Sequence, residues 1–181
     1  MKKIVLLVGL FLLAVDVSAQ EINWVSLDEA LALQKKKPKK IMMDVYTSWC
    51  GPCKMLDKNT FHNADVVNYV NKNYYAVKFN GEGNDVVTFD NKTFENPGYN
   101  PEKAKTRNSA HQLTSYLKVS AYPTIVFLDE EGKMLAPIRG YQNAQGLELY
   151  LKLFKENHHK DIDTQAKFTA YAQAFKPEFI E

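Results

Sequence analysis

The residues of this 181-residue chain that are best suited to chemistry are its two cysteines, which stand three positions apart. Cys50 and Cys53 enclose only Gly51 and Pro52, and the sequence contains no further cysteine. A structural disulfide stabilises most when it closes a long loop, because a long loop restricts the unfolded chain. A bridge over two residues closes almost nothing. We therefore expect the value of this pair to lie in thiol–disulfide chemistry.

The cysteines follow a predicted strand and open a predicted helix. Lys40–Tyr46 is a mostly apolar run with the length of a buried strand, and residues 54–58 continue as a helix. Cys50 would then lie at the helix N-terminus, where unpaired N–H groups favour a thiolate. We predict that Cys50 is the exposed nucleophile. Cys53, one turn later, would attack the mixed disulfide and release the partner.

A C-x-x-C pair is also half of a zinc site, which normally needs two further Cys or His ligands. His62 lies nine residues beyond Cys53, and the other three histidines are farther along the chain. No zinc spacing is completed, so we expect no structural metal. A copper(I) carrier that uses the two soft thiolates stays open as an alternative, since Met55 could add a thioether ligand.

Capping residues and hydrophobic periodicity predict the elements that position the cysteines. The additional elements are a helix that begins at Ser26, a helix at 63–71, a strand at 74–79, a helix at 109–118, a strand at Thr124–Leu128, a strand at 134–138 and a helix at 143–157. From the strand before Cys50 onward, the order is strand, helix, strand, helix, strand, strand, helix.

Residues 80–108 interrupt this order and are here called the insert. Glycine, asparagine and proline are frequent in it, as in turns. Residues 86–89 and 93–94 flank Asp90-Asn91-Lys92 and predict a small β-hairpin. Long loops in compact domains tend to be functional or disordered. Because aromatic residues lie within the insert, we expect it to be ordered and to shape the access of partners.

The first 19 residues have the parts of a secretory signal peptide. Lys2 and Lys3 precede an apolar run at 4–15, and small residues precede a cleavage point after Ala19. The apolar run is about 12 residues, whereas roughly 20 are needed to span a bilayer. We expect cleavage to leave residues 20–181 as one exported domain with no membrane-spanning segment.

Charge and the remaining segments give weaker signals. Cleavage would remove two lysines and one aspartate, which lowers the formal net charge of +2 by one. This balance suggests no nucleic-acid partner, and the lysine cluster at 35–40 is predicted to be a solvated turn. Aromatic residues at helical spacing in 158–181 predict a helical extension that packs on the domain.

Several motifs resemble those of the thioredoxin family. In residues 41–54, Asp44 lies six positions before Cys50, Trp49 directly precedes it and Lys54 follows Cys53. Three further segments resemble that family in the right order: Val77-Lys78-Phe79-Asn80 the third strand with its lysine, Ala121-Tyr122-Pro123-Thr124 the cis-proline loop, and Gly140 the glycine near the end of the last strand. The resemblance implies a thioredoxin-like α/β fold, with a mixed β-sheet, helices on both faces and the insert added.

The resemblance also assigns roles to residues. Asp44 would be the buried carboxylate beneath Cys53 that relays its proton, with a raised pKa because it lies in an apolar strand. Lys78 would be its charge partner. Pro123 is predicted to be cis, and the backbone of Tyr122 would pair with a client chain. Trp49, Gly51 and Pro52 would form the rim that receives the client.

Gly51-Pro52 between the cysteines resembles the reducing branch of the family. We therefore predict a periplasmic, monomeric disulfide reductase of exported proteins, with disulfide-bearing clients and a membrane electron donor. Its redox group would be the Cys50–Cys53 disulfide, with no separate cofactor. A disulfide oxidase or isomerase and a non-enzymatic copper(I)-binding or protein-interaction module remain as alternatives.

Overall fold

The computed structural model describes residues 21–181, so the predicted signal peptide at 1–19 lies outside the described residues. Its centre is a five-stranded sheet, and a separate hairpin lies in the insert. The strands are β1 (Trp24–Val25), β2 (Lys40–Tyr46), β3 (Tyr74–Asn80), β4 (Val87–Phe89), β5 (Lys92–Phe94), β6 (Thr124–Leu128) and β7 (Met134–Arg139). The α-helices are α1 (Leu27–Lys36), α2 (Gly51–Leu56), α3 (Ala64–Asn73), α4 (Gln112–Tyr116), α5 (Ala144–Lys155) and α6 (Gln165–Ala174).

The central sheet has the strand order β1-β3-β2-β6-β7. β1, β3 and β2 run parallel, whereas β6 is antiparallel to β2 and β7 is antiparallel to β6. The predicted mixed sheet, parallel in its first half and ending in an antiparallel hairpin, is therefore confirmed. The two-residue strand β1 was not predicted, because such a segment is too short to show a hydrophobic period.

Helices cover both faces of the sheet, as predicted. Successive side chains of a strand point to opposite faces, and β2 follows this rule. Met42 packs with residues of α3 and α5 on one face. Ile41, Met43 and Val45 pack with residues of α1 and α4 on the other. Both faces of β2 are thus buried, which explains its nearly continuous apolar sequence.

The predicted helix caps at Ser26 and Asn63 are present, and each side chain accepts backbone N–H bonds of its helix. The helix predicted at 109–118 is shorter, since α4 spans Gln112–Tyr116. The N–H groups of His111 and Gln112, directly before and at the start of α4, donate to carbonyls of the insert instead. The His111 N–H donates to Gly81 O at 2.9 Å and the Gln112 N–H to Glu95 O at 3.1 Å.

The insert contains the predicted hairpin. Asp90 and Asn91 have φ values of 50° and 56° and form a two-residue turn between β4 and β5. Such turns require positive φ at both positions. Lys92 therefore belongs to β5 and not to the turn. Phe89 and Phe94 are buried in the core cluster of α1 and α4.

The segment 158–181 is helical as predicted in its first part, but its last residues, 175–181, are not. A 3₁₀ turn at His158–Asp161 and α6 form the expected helical extension. Phe168 and Tyr171 of α6 pack against the core cluster that contains α5, as predicted. Residues 175–181 then leave the helix, and Phe179 is buried in that cluster. Among residues 21–181, no helix is long and apolar enough to cross a bilayer.

The lysine cluster is also not wholly solvated. Lys40 is buried, and its ammonium group pairs with Glu130 at 2.6 Å and donates to Asn157 Oδ1 at 3.0 Å. Lys39 donates to the carbonyls of Asn71 and Tyr74. These two lysines join the start of β2 to neighbouring segments, because their ammonium groups can satisfy acceptors that the turn regions leave open.

Candidate functional site

The two cysteines form a disulfide at the junction of β2 and α2. Cys50 is the N-cap residue of α2, and the Cys53 N–H donates to Cys50 Sγ at 3.1 Å. The helix continues without a break into a π-helical turn, Asp57–Phe61. A sulfur at this position receives an N–H bond and the positive end of the helix dipole, and both favour the thiolate form of Cys50.

The prediction that Cys50 is exposed is wrong for the disulfide form. Cys50 is only 2% exposed and Cys53 6%, whereas Gly51 and Pro52 between them are exposed. The insert contacts the two residues that precede Cys50, as described below. Sequence spacing does not contain these contacts, because they join residues more than 30 positions apart.

Asp44 lies in the middle of β2, between Lys78 of β3 and Ile125 of β6 in the sheet register. It is 2% exposed. Burial raises the pKa of Asp44 to about 7, although the positive charge of Lys78 acts in the opposite direction. This direction agrees with the expectation for a carboxyl in an apolar strand. Asp44 Oδ1 has no hydrogen-bond partner among the residues that the structure describes.

A cavity of about 190 Å³ joins this carboxyl to the disulfide. Asp44, Thr47, Cys53, Lys54, Asp57 and Lys78 contribute to its lining. A cavity of this size is large enough for several water molecules. The polar side chains in its lining can serve as the partners that ordered water requires. The cavity therefore offers a proton route between Cys53 and Asp44.

Lys78 acts on Asp44 through its positive charge, as the resemblance implies, but within the described residues it makes no ion pair with that carboxyl. Its ammonium group forms an ion pair with Asp57. It also lies 5.3 Å from the centre of the Trp24 ring and 5.6 Å from that of Tyr46. Asp57 is a residue of the site that the sequence analysis missed. Its position four residues after Cys53 places both on one face of the helix, which is the signal that could have found it.

The cis-proline loop lies beside the disulfide-bearing segment. The Tyr122–Pro123 peptide bond is cis, as predicted. The Pro123 carbonyl accepts from the Gly140 N–H at 2.9 Å, and the Tyr122 hydroxyl donates to Gly81 O at 3.1 Å. Within residues 21–181, the backbone N–H and C=O of Tyr122 make no hydrogen bond. An extended client chain could therefore pair with them.

Trp49 stands between the cis-proline loop and the insert. Its ring meets the Tyr122 ring edge-on, with 6.3 Å between the ring centres. Its Nε1 donates to Glu82 Oε2 at 2.7 Å. The guanidinium of Arg107 lies 4.7 Å from the indole centre. Trp49 thus lies beside the cis-proline loop, and charged groups of the insert that the sequence analysis missed surround it.

Two further bonds hold the end of the insert to the site. Glu82 Oε2 also accepts from the Asn108 N–H at 2.8 Å. Ser48 Oγ donates to the Ala104 carbonyl at 2.7 Å. The insert therefore folds back and is anchored on the two residues directly before Cys50.

The sequence is similar to those of two proteins over most of this chain. The chain is 28% identical over 134 residues to the thiol:disulfide interchange protein DsbD of Pectobacterium atrosepticum, a match that covers 73% of the chain and 19% of that protein. It is 25% identical over 121 residues to the disulfide bond reductase DsbH of Chlamydia pneumoniae, covering 66% of the chain and 64% of that protein. The chain therefore spans less than two thirds of the length of either relative.

Fold and family are shown by two further comparisons. A thioredoxin-fold protein from Helicobacter pylori superimposes with a TM-score of 0.58 at 18% identity, covering 75% of this chain and 83% of that one. The family model described as a thioredoxin-like domain matches residues 27–155. Because that match takes in more than half of the chain, this protein belongs to the thioredoxin-like domain family.

Proposed function

We propose that this protein is a thiol:disulfide oxidoreductase that reduces disulfides in exported proteins. One observation carries the proposal. The Cys50–Cys53 disulfide lies at a helix start, above a cavity that it shares with the buried carboxyl of Asp44. A bond over two residues adds little to stability, so the arrangement fits exchange of electrons with another disulfide.

The first step uses the reduced form of the pair. The Cys50 thiolate attacks one sulfur of the client disulfide, and the client S–S bond breaks. The client sulfur that leaves takes up a proton and becomes a thiol. A mixed disulfide between Cys50 and the other client sulfur remains.

The second step releases the client. Cys53 loses its proton to Asp44 through the shared cavity, and its thiolate attacks Cys50 Sγ. The mixed disulfide breaks, the second client sulfur takes up a proton, and the Cys50–Cys53 bond forms. The client has then gained two electrons and two protons. A carboxyl with a pKa of about 7 can accept and return a proton near neutral pH.

The client chain would bind beside Pro123. The unpaired backbone of Tyr122 can add an extended client segment as a short strand, in which main-chain hydrogen bonds give affinity. Trp49, Gly51 and Pro52 would contact the client on the other side of the disulfide. This placement would bring a client sulfur to Cys50. Because Cys50 is buried in the disulfide form, Trp49, Gly51 and Pro52 would have to move to expose it.

The direction of electron flow is inferred from the absence of a histidine between the cysteines. Without such a cation, the Cys50 thiolate is stabilised only moderately and the disulfide is comparatively stable, as in reductases. Relatives named as a disulfide bond reductase and a thiol:disulfide interchange protein support this choice. We infer a periplasmic location from the signal-like residues 1–19 and propose that a membrane protein supplies the electrons.

The direct test is the equilibrium redox potential of the Cys50–Cys53 pair, measured against a thiol buffer with alkylation of the free thiols. A reductase should give a value near that of thioredoxin, roughly −270 mV. A value near roughly −120 mV, where strong oxidants lie, would identify a disulfide donor. That outcome would contradict the proposed direction.

A further inference from the structure

The end of the insert places positive charge beside the active disulfide. Residues 103–107 read Lys-Ala-Lys-Thr-Arg, and Lys103, Lys105 and Arg107 are all exposed. Ala104, in the middle of this segment, accepts a hydrogen bond from Ser48, two residues before Cys50. Lys54, directly after Cys53, is exposed as well. Cations therefore flank the disulfide along the insert and on α2.

These cations are available to a partner. Within residues 21–181, Lys103, Lys105 and Arg107 form no ion pair. The nearby carboxylate of Glu82 already accepts two hydrogen bonds, from Trp49 and Asn108. Glu102 is the one acidic side chain within the segment 101–107. An anionic group would thus find donors here that no internal partner has satisfied.

Arg107 is the best placed of the three. Its guanidinium lies 4.7 Å from the centre of the Trp49 ring, and Trp49 in turn contacts Tyr122, whose backbone would receive the client. A guanidinium stacked on an aromatic ring keeps its N–H fork pointing outward in a fixed orientation. This fork matches the two oxygens of a carboxylate.

We propose that Arg107 is a specificity-determining residue, which selects client segments that carry a carboxylate next to the target disulfide. The inference rests on the proposed function and adds the chemistry of the preferred client. Lys103 and Lys105 strengthen the positive field, which speeds the encounter with acidic segments. Trp49 contacts the Arg107 guanidinium, and Glu82 accepts from Trp49 and from the N–H of Asn108, the residue after Arg107. The insert therefore serves as a client-selecting surface.

The test compares three oxidised peptides that differ only in the residue next to one cysteine, which is Glu, Ala or Lys. The reduced protein should reduce the Glu peptide about threefold faster than the Ala peptide, and the Lys peptide more slowly, as expected for one exposed charge pair. The differences should shrink as the salt concentration rises, because salt screens exposed charges.

Two variants with the same change in charge sharpen the test. Arg107→Glu should reverse the order of the three peptides. Lys35→Glu should keep the wild-type order, because Lys35 is exposed at the end of α1, before β2 begins, and the disulfide follows the opposite end of β2. The measured quantity is the ratio of second-order rate constants, which a purely structural effect on the site would leave unchanged.

The possible failures are distinguishable. Equal rates for all three peptides, or an unchanged ratio in Arg107→Glu, would overturn the role of Arg107 and leave the reductase function standing. A reversal of the order by Lys35→Glu would show that overall charge and not Arg107 decides. Failure of the wild-type protein to reduce any of the peptides would overturn both proposals.

Discussion

Two carboxylates anchor two segments of this protein, the insert and residues 175–181, and the two carboxylates differ in burial. Glu82 is half-buried and accepts from Trp49 Nε1 and the Asn108 N–H, which anchors the insert next to the disulfide. Glu148 is fully buried, accepts from the N–H groups of Glu178 and Phe179 and pairs with Lys152. The first anchor touches the active-site tryptophan, whereas the second fastens residues 175–181 to the core.

A carboxylate that accepts N–H bonds can therefore serve either function or stability, and its burial decides which. A buried charge that loses its partners costs several kcal/mol, while a half-exposed one is compensated by water. Asp44 extends the comparison, because it is buried and its Oδ1 has no partner among the described residues. Variants of these three carboxyls should therefore differ in stability and in client reduction, provided that the cysteines carry the chemistry.

The largest effect is expected at the disulfide itself. Cys50→Ser should abolish exchange, because no thiolate remains to attack the client. Cys53→Ser should instead accumulate a mixed disulfide between Cys50 and the client, which mass spectrometry of the alkylated mixture would detect. Residual client reduction in Cys50→Ser would contradict the role of Cys50 as the nucleophile. The functional role of the insert, which lies beside Cys50, would then lose its basis.

Asp44 should make stability depend on pH. The pKa of this carboxyl is raised from 3.8 to about 7, so between these values the folded protein holds a proton that the unfolded chain has released. Stability should therefore fall as pH rises from about 4 to about 7. Relative to Asp44→Asn, which lacks this titration, the loss should reach about 4 kcal/mol.

Urea unfolding of both proteins at several pH values would measure this difference. Parallel profiles for the wild-type protein and Asp44→Asn would show that Asp44 keeps its ordinary pKa. The same variant should also slow the release of client from the mixed disulfide, because Cys53 loses its proton acceptor.

Glu148→Gln should lower the free energy of unfolding by about 3 kcal/mol. The amide cannot pair with Lys152, and its NH₂ group would face the N–H groups of residues 178 and 179. The rate of client reduction per folded molecule should stay at the wild-type level. Urea unfolding and an activity assay on the same preparation test this, and reduced activity with unchanged stability would invert the comparison.

Glu82→Gln should have the smallest effect on stability, about 0.5–1 kcal/mol, because the side chain is only half-buried. Its effect should appear in client reduction, since Trp49 and the Asn108 N–H, next to Arg107, lose the charged acceptor that orients them. Glu102→Gln, an exposed change of the same charge in the same insert, is the matched control. A loss of stability as large as in Glu148→Gln would show that both anchors are structural.

Much of the fold could be predicted from local patterns. β2 and β6 have the predicted bounds, and Ser26 and Asn63 cap helices as expected, because strand burial and capping depend on neighbouring residues. The order of motifs around Cys50 and Pro123 placed the cysteines and the cis bond correctly. These features are encoded within short stretches of sequence.

The parts of the site that were missed depend on contacts between distant segments. The Glu82–Trp49 bond, the Arg107 stacking and the burial of Cys50 arise only when the insert folds back on the junction of β2 and α2. The pairing of Lys78 with Asp57 rather than Asp44 depends on side-chain reach across the cavity. No local periodicity carries this information.

Gly81, near the start of the insert, is a position where a side chain has no room. A β-carbon at this position would come within 2.5 Å of the Tyr122 ring, and the Gly81 peptide also bonds to Tyr46 and His111. A side chain at this position would force the Tyr122 ring to move. Position 81 therefore admits only glycine as long as the Tyr122 ring keeps its place beside the proposed client-binding backbone.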